Sequence, residues 1–141
     1  MGNSLKTFHD SCKRGDRKTV ISFLNNNPDA IDTPSKEGWT ALIIACHKGE
    51  NEIARLLIEK GANVNAVNNK GTTVFMYAKT PIQNVHKDTS LLSYLLQNGA
   101  DINKKDVFEK TVLDYVFENG DLHLINWLKS NGAKKAKSKL I

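Results

Sequence analysis

Much of what would announce chemistry is missing from this sequence. There are two cysteines, Cys12 and Cys46, and the N-terminus MGNSLKTFHD lacks the charged-then-apolar layout of a secretory leader, so a reducing compartment, the cytoplasm, is expected. No apolar run approaches the roughly 18 residues that a membrane span needs, and a membrane partner is not expected. Gly2 is followed by Lys6 where a myristoylation motif wants Ser or Thr. No Gly-rich phosphate loop occurs. His9, His47, His86 and His123 are scattered, with no Cys or carboxylate at ligand spacing, which argues against a metal site. Ser11, His9 and Asp10 are sequence neighbours but point apart on one helical turn, whereas a nucleophile and its base must converge. Neither a cofactor nor catalysis is expected.

Acid is absent from the C-terminal segment. All 15 acidic residues lie at or before Asp121, while Lys129, Lys134, Lys135, Lys137 and Lys139 supply 5 of the 20 basic ones. The formal charge of +5 therefore belongs to the end of the chain, and residues 1–128 are balanced. With no aromatic to stack on bases and no Arg for bidentate readout, the tail offers at most weak, salt-sensitive affinity for polyanions. Its plainer role is to solubilise.

What the sequence does have is self-similarity. Gly38-Trp-Thr-Ala-Leu-Ile-Ile-Ala45 recurs 33 residues later as Gly71-Thr-Thr-Val-Phe-Met-Tyr-Ala78. Lys60-Gly-Ala-Asn-Val-Asn65 recurs as Asn98-Gly-Ala-Asp-Ile-Asn103 and again as Asn131-Gly-Ala133. Sliding the frame back from the second unit exposes an earlier one, in which Phe8 meets Leu42 and Gly15 meets Gly49. Each unit reads as two short helices and an extended turn: Leu42, Ile43, Ala45 and Cys46 follow helical spacing, Gly49 breaks it, and Ile53, Ala54, Leu57 and Ile58 resume it. Asn27, Gly61, Gly99 and Gly132 stand where the second helix ends, a left-handed position suited to Gly and then Asn. Such short helices are unstable alone and must stack.

These residues resemble the ankyrin repeat, in which Gly-x-Thr-Pro-Leu-His-x-Ala-Ala is followed by Gly, a Leu-Leu pair and Gly-Ala-Asp-x-Asn. The resemblance covers about nine-tenths of the chain. It implies an all-α repeat solenoid of four stacked helix-turn-helix repeats with hairpin-like loops. The expected domain is residues 1–135, with repeats at approximately 5–37, 38–70, 71–108 and 109–135, and the Lys-rich tail at 136–141. Ala41, Val74 and Val112 replace the family's Pro, and Ile43, Met76 and Asp114 replace its His, so part of the network that steadies each turn is expected to be missing. Glu109 stands where a turn Gly is expected. Asp10 and Thr19 replace apolar residues of the later units, and Lys129 replaces those of the earlier ones, which suits polar caps at both ends of the stack.

Two features sit outside the frame. Cys12 and Cys46 fall at a small-residue site between helices and are expected to be inert core thiols. The third unit carries about five extra residues between Lys79 and Leu91; Pro81 is expected to stop its first helix, Asp88 or Thr89 to cap the next, and Ile82 and Val85 to be contact residues if the loop is functional.

The resemblance implies function on the surface, since ankyrin-repeat proteins typically dock partners on the concave side formed by hairpin tips and first helices. By repeat register the tips carry Lys36, Glu37 and Trp39, then Asn69, Lys70 and Thr72, then Val107, Phe108 and Lys110. The helix ends carry Lys13 and Arg14, then His47 and Lys48, then Glu118 and Asn119. Trp39 and Phe108 are the candidate anchors, as exposed aromatics that a partner would cover. The alternative is that Trp39 folds against its own hairpin and Phe108 fills the space left by the missing Gly. A non-catalytic module is expected, probing one or more protein partners as a monomer and acting as an inhibitor or adaptor.

Overall fold

The computed structural model describes residues 4–84 and 88–136. Within them eight α-helices form four pairs: α1 (Leu5–Arg14) with α2 (Arg17–Asn26), α3 (Ala41–Lys48) with α4 (Asn51–Glu59), α5 (Val74–Asn84) with α6 (Ser90–Gln97), and α7 (Val112–Asn119) with α8 (Leu122–Ser130). The fold is an all-α repeat stack. The first helices form an inner row, in which α3 packs against both α1 and α5, and the second helices lie behind them.

Local chemistry fixes where each inner helix begins. Thr40, Thr73 and Thr111 accept hydrogen bonds through their side-chain oxygens from the N–H three residues on, at 3.3, 3.0 and 3.4 Å. These satisfy donors that a helix start leaves open, and each such cap is worth about 1 kcal/mol. Between the pairs, extended turns stack as a ladder: Asn69 N–H donates to the Glu37 carbonyl and Val107 N–H to the Lys70 carbonyl, both at 3.1 Å. Behind them a side chain at the end of each unit reaches the next. Asp32 accepts from Asn63 N–H at 3.0 Å, Asn65 accepts from Asp101 N–H at 2.8 Å, and Asn103 accepts from Lys134 N–H at 2.7 Å. The recurring Asp or Asn is thus a tie between repeats.

One continuous core runs through the stack. Phe8 lies face to face with Phe23 at 4.4 Å in the first pair, and Leu42, Ile43, Leu57, Phe75, Leu92, Leu95, Leu124 and Leu128 are fully enclosed. Burying each such side chain contributes about 1.5–3 kcal/mol. Cys12 and Cys46 are buried free thiols, and burial pushes both up to about 12, so neither is a thiolate at neutral pH. At the stack ends, Thr19 is half-buried where Ile53 and Leu124 are enclosed, and Lys129 is exposed where Leu24 and Ile58 are buried.

Several expectations need correction. Pro81 does not stop the third unit's first helix: α5 runs through it to Asn84. The residue that ends α1, α3 and α7 is a left-handed Gly at 15, 49 and 120, and the equivalent place in α5 is Ile82, which cannot take that conformation cheaply. Part of the inserted sequence is therefore an extra helical turn. Ile82 is buried in the core and is no contact residue, while Val85 lies outside the described residues. Asp88 accepts from Ser90 N–H at 2.9 Å, whereas Thr89 makes no side-chain cap bond. Asn27 is not left-handed but has φ −140°, because Pro28 follows and forces its predecessor toward extended backbone. Glu109 keeps the last hairpin in shape by adopting φ +62° itself. Asp114 supplies a tie of its own, accepting from Thr111 N–H at 2.8 Å and Ala136 N–H at 3.1 Å. Burial opposes its charge, but these N–H groups outweigh that and hold its carboxyl below the ordinary range.

Candidate functional site

Two of the three hairpin tips are held from below by one buried polar residue each. Asn68 accepts through Oδ1 from Lys70 N–H at 2.9 Å and Thr72 N–H at 3.0 Å. Asp106 does the same for Phe108 N–H at 2.9 Å and Lys110 N–H at 3.1 Å. At the first tip the half-buried Ser35 accepts through Oγ from Trp39 N–H at 3.1 Å. The same two buried groups also face the inner helices: Asn68 Nδ2 donates to the Tyr77 hydroxyl at 2.9 Å, and the Tyr115 hydroxyl donates to Asp106 Oδ2. Burial first, and then the Asp106 carboxylate, push the Tyr115 hydroxyl far up, so it stays protonated. These two tips are thereby bolted to the helices that follow them.

Trp39 is half-buried and answers to neither simple reading. Its ring stands 5.3 Å from His47 of its own unit and 4.6 Å from Tyr77 of the next, and His47 meets Tyr77 edge-on at 5.1 Å. The ring forms a ridge between two clefts. One, of about 590 Å³, is lined by Leu5, His9, Lys13, Ile44, His47 and Lys48 among others. The second, of about 530 Å³, includes Lys36, Glu37, Asn69, Lys70 and Tyr77. Burial lowers the pKa of His47, as do Lys48 and Lys79 by repulsion, and burial lowers that of His9, so both imidazoles favour the neutral form.

At the far end the surface is apolar. Val107 is 59% exposed and Phe108 63% exposed, so Phe108 fills no internal space. Phe117, 38% exposed, lies beneath the Lys135 ammonium at 3.8 Å and near that of Lys129 at 5.5 Å. Lys110 pairs with Glu118 at 2.8 Å, which raises the Lys110 pKa.

The remaining candidates divide by what they already do. Lys13, Lys36, Glu37, Lys48, Lys70 and Asn119 are exposed on this face. Arg14 pairs with Asp16 at 3.3 Å, Asn69 Nδ2 donates to the Lys36 carbonyl at 3.0 Å, and Thr72 closes its own hairpin. Those three belong partly to the scaffold. Tyr77, Tyr115, Asn68, Asp106 and Phe117 were not among the candidates, and a signal existed for four of them: both polar-to-Tyr pairs are spaced by nine residues. Of the tail lysines, Lys137 and Lys139 lie outside the described residues.

Ser11 donates its hydroxyl to the Thr7 carbonyl at 2.8 Å within its own helix. Among the described residues no group of three or more His, Cys, Asp or Glu is placed to hold a metal ion, and no helix is long and apolar enough to cross a membrane.

A family model of ankyrin repeats, in three copies, matches residues 8–106. The chain belongs to the ankyrin-repeat family. Relatives agree: a human NAD-capped RNA hydrolase is 36% identical over 66 residues, 47% of this chain and 14% of that protein. The rat ankyrin repeat and SAM domain-containing protein 6 is 29% identical over 126 residues, 87% of this chain and 14% of that protein. A probable 26S proteasome regulatory subunit of Saccharomyces cerevisiae is 29% identical over 114 residues, 77% of this chain and 48% of that protein. In each case the match spans less than half of the relative's length, and it is the ankyrin repeats that the family model identifies in this chain. Ankyrin repeats generally mediate protein–protein interaction.

Proposed function

We propose that this chain is a non-catalytic module that docks a protein partner on the face made by its hairpin tips and inner helices, acting as an inhibitor or adaptor. The observation that carries the reading is the hydrogen bonding that holds the hairpins of that face. Ser35 holds the Trp39 hairpin and Asn68 and Asp106 hold the next two, so Trp39, Val107 and Phe108 are presented with little ordering left to lose on binding. Large aromatics held this way are the usual dominant anchors of an interface. The resemblance to a proteasome regulatory subunit fits a regulatory binding role. Free buried thiols fit a reducing compartment such as the cytoplasm.

The test is co-purification from the native cell with the unaltered chain, the Trp39→Ala/Phe108→Ala double variant, and an outer-face control, Lys18→Ala/Glu52→Ala. The partner should be lost from the first variant alone. Equal recovery with all three would refute docking on this face.

A further inference from the structure

The lysines of the folded body are not spread evenly. Lys13 and Lys48 line the cleft on one side of Trp39, and Lys36 and Lys70 line the other. None of the four has an ion-pair partner among the described residues, and Glu37 is the one carboxylate lining both clefts. Lys6 and Asp10, also in the first cleft, pair with each other at 3.1 Å. Beyond Tyr77 the face changes character: Lys110 is neutralised by Glu118, Val107 and Phe108 stand exposed, and the Lys135 ammonium lies over Phe117. A residue-by-residue balance that is neutral over the body thus resolves into a cationic stretch along the first two units, followed by an apolar step at the end of the third.

We infer that the occupant of this face is an extended acidic segment of a protein partner, its carboxylates over Lys13, Lys48, Lys36 and Lys70 and a large apolar side chain against Val107 and Phe108. The inference rests on the docking reading above and gives the partner a chemistry and a direction. Unpaired lysines on a rigid surface favour an anion that approaches them and penalise a cationic segment, so they act on specificity and encounter rate. The clefts beside Trp39 accept side chains, and the ridge spaces them. A single-stranded nucleic acid offers phosphates to the same lysines and a base to stack on Phe108, so it enters the test below as the competing outcome.

A library of random twelve-residue peptides displayed on phage, selected on the full chain, tests this. Enriched sequences should combine several Asp or Glu with a large apolar residue near one end. A synthetic peptide of the enriched sequence should lose about tenfold in affinity to Lys36→Glu/Lys70→Glu, and weaken as salt is raised, while the outer-face variant Lys18→Glu/Lys60→Glu binds as before. All these positions are exposed, and unchanged melting will establish that the variants are folded. Basic consensus sequences, an empty selection, or indifference to Lys36→Glu/Lys70→Glu would overturn the inference. If binding is indifferent to those lysines yet lost with Phe108→Asp, the face is the docking site but its occupant is not acidic. If only the outer-face variant loses binding, both readings fail. Oligothymidylate binding more tightly than the peptide would make the lysines a polyanion site and overturn the inference as well.

Discussion

The Trp39 ring lies 4.6 Å from the Tyr77 ring of the following unit, so an aromatic at one hairpin is packed by the inner helix of the next. It is structural and superficial at once. Trp39→Ala should therefore lower stability by about 2 kcal/mol, less than a fully enclosed Trp would because the ring is half exposed, as read from the urea midpoint. A change near zero would mean that the ring is held only by a partner.

The left-handed backbone of Glu109 marks a second testable point. A non-Gly residue there is held at a cost of roughly 1–2 kcal/mol, part of which Gly recovers before its own chain entropy is counted. Glu109→Gly should stabilise the chain by about 0.5–1 kcal/mol in urea unfolding. A loss of stability would show that the Glu side chain is needed where it stands.

Helix α5 gives opposite predictions for adjacent residues. A helix-interior Pro removes an N–H and crowds the carbonyl four residues back, so Pro81→Ala should stabilise by about 2 kcal/mol, somewhat less than the full helix penalty because Pro81 also packs near Gly49. Ile82→Ala, by contrast, opens a cavity and should cost about 3 kcal/mol. If instead Pro81→Ala destabilised as much as Ile82→Ala, the continuous helix would be the wrong description.

Acid should weaken the fold before its carboxylates titrate. Burial lowers the pKa of His9 and of His47 below the ordinary histidine value of 6.5, so the unfolded chain takes up protons first. The stability these groups contribute is present above the unfolded value and is lost as pH falls through the folded one. Urea midpoints should therefore decline from pH 7 to pH 5, and His9→Phe should flatten part of that decline. A profile unchanged by His9→Phe would assign the acid sensitivity elsewhere.

Much of this fold was legible because its signals are local and repeat. A Thr that caps an inner helix and a Gly in the turn before it are short-range requirements, and recurrence at 33 residues made them visible in Thr40 and Thr73, Gly38 and Gly71. Where two local signals competed, the sequence misled. Pro81 masks the missing Gly at Ile82, and the preference of Asn27 for a left-handed end yields to the constraint imposed by Pro28. The face was less legible than the frame. Tyr77 and Tyr115 read as apolar repeat positions until stacking placed each hydroxyl against a residue nine positions earlier. The cationic stretch was hidden for a similar reason: a linear count cancels Lys13, Lys36, Lys48 and Lys70 against acids such as Glu52 and Glu59, and only the stack separates these lysines onto one face.

The most direct measurement is site-specific photo-crosslinking in the native cell, with the reactive residue placed in turn at Lys36, Lys48 and Lys70 on the hairpin face and at Lys18, Glu59 and Asn126 on the outer helices. All six positions are exposed. The account predicts one defined protein adduct shared by the three hairpin-face positions and absent from the three outer ones. Adducts formed only from the outer helices would contradict it.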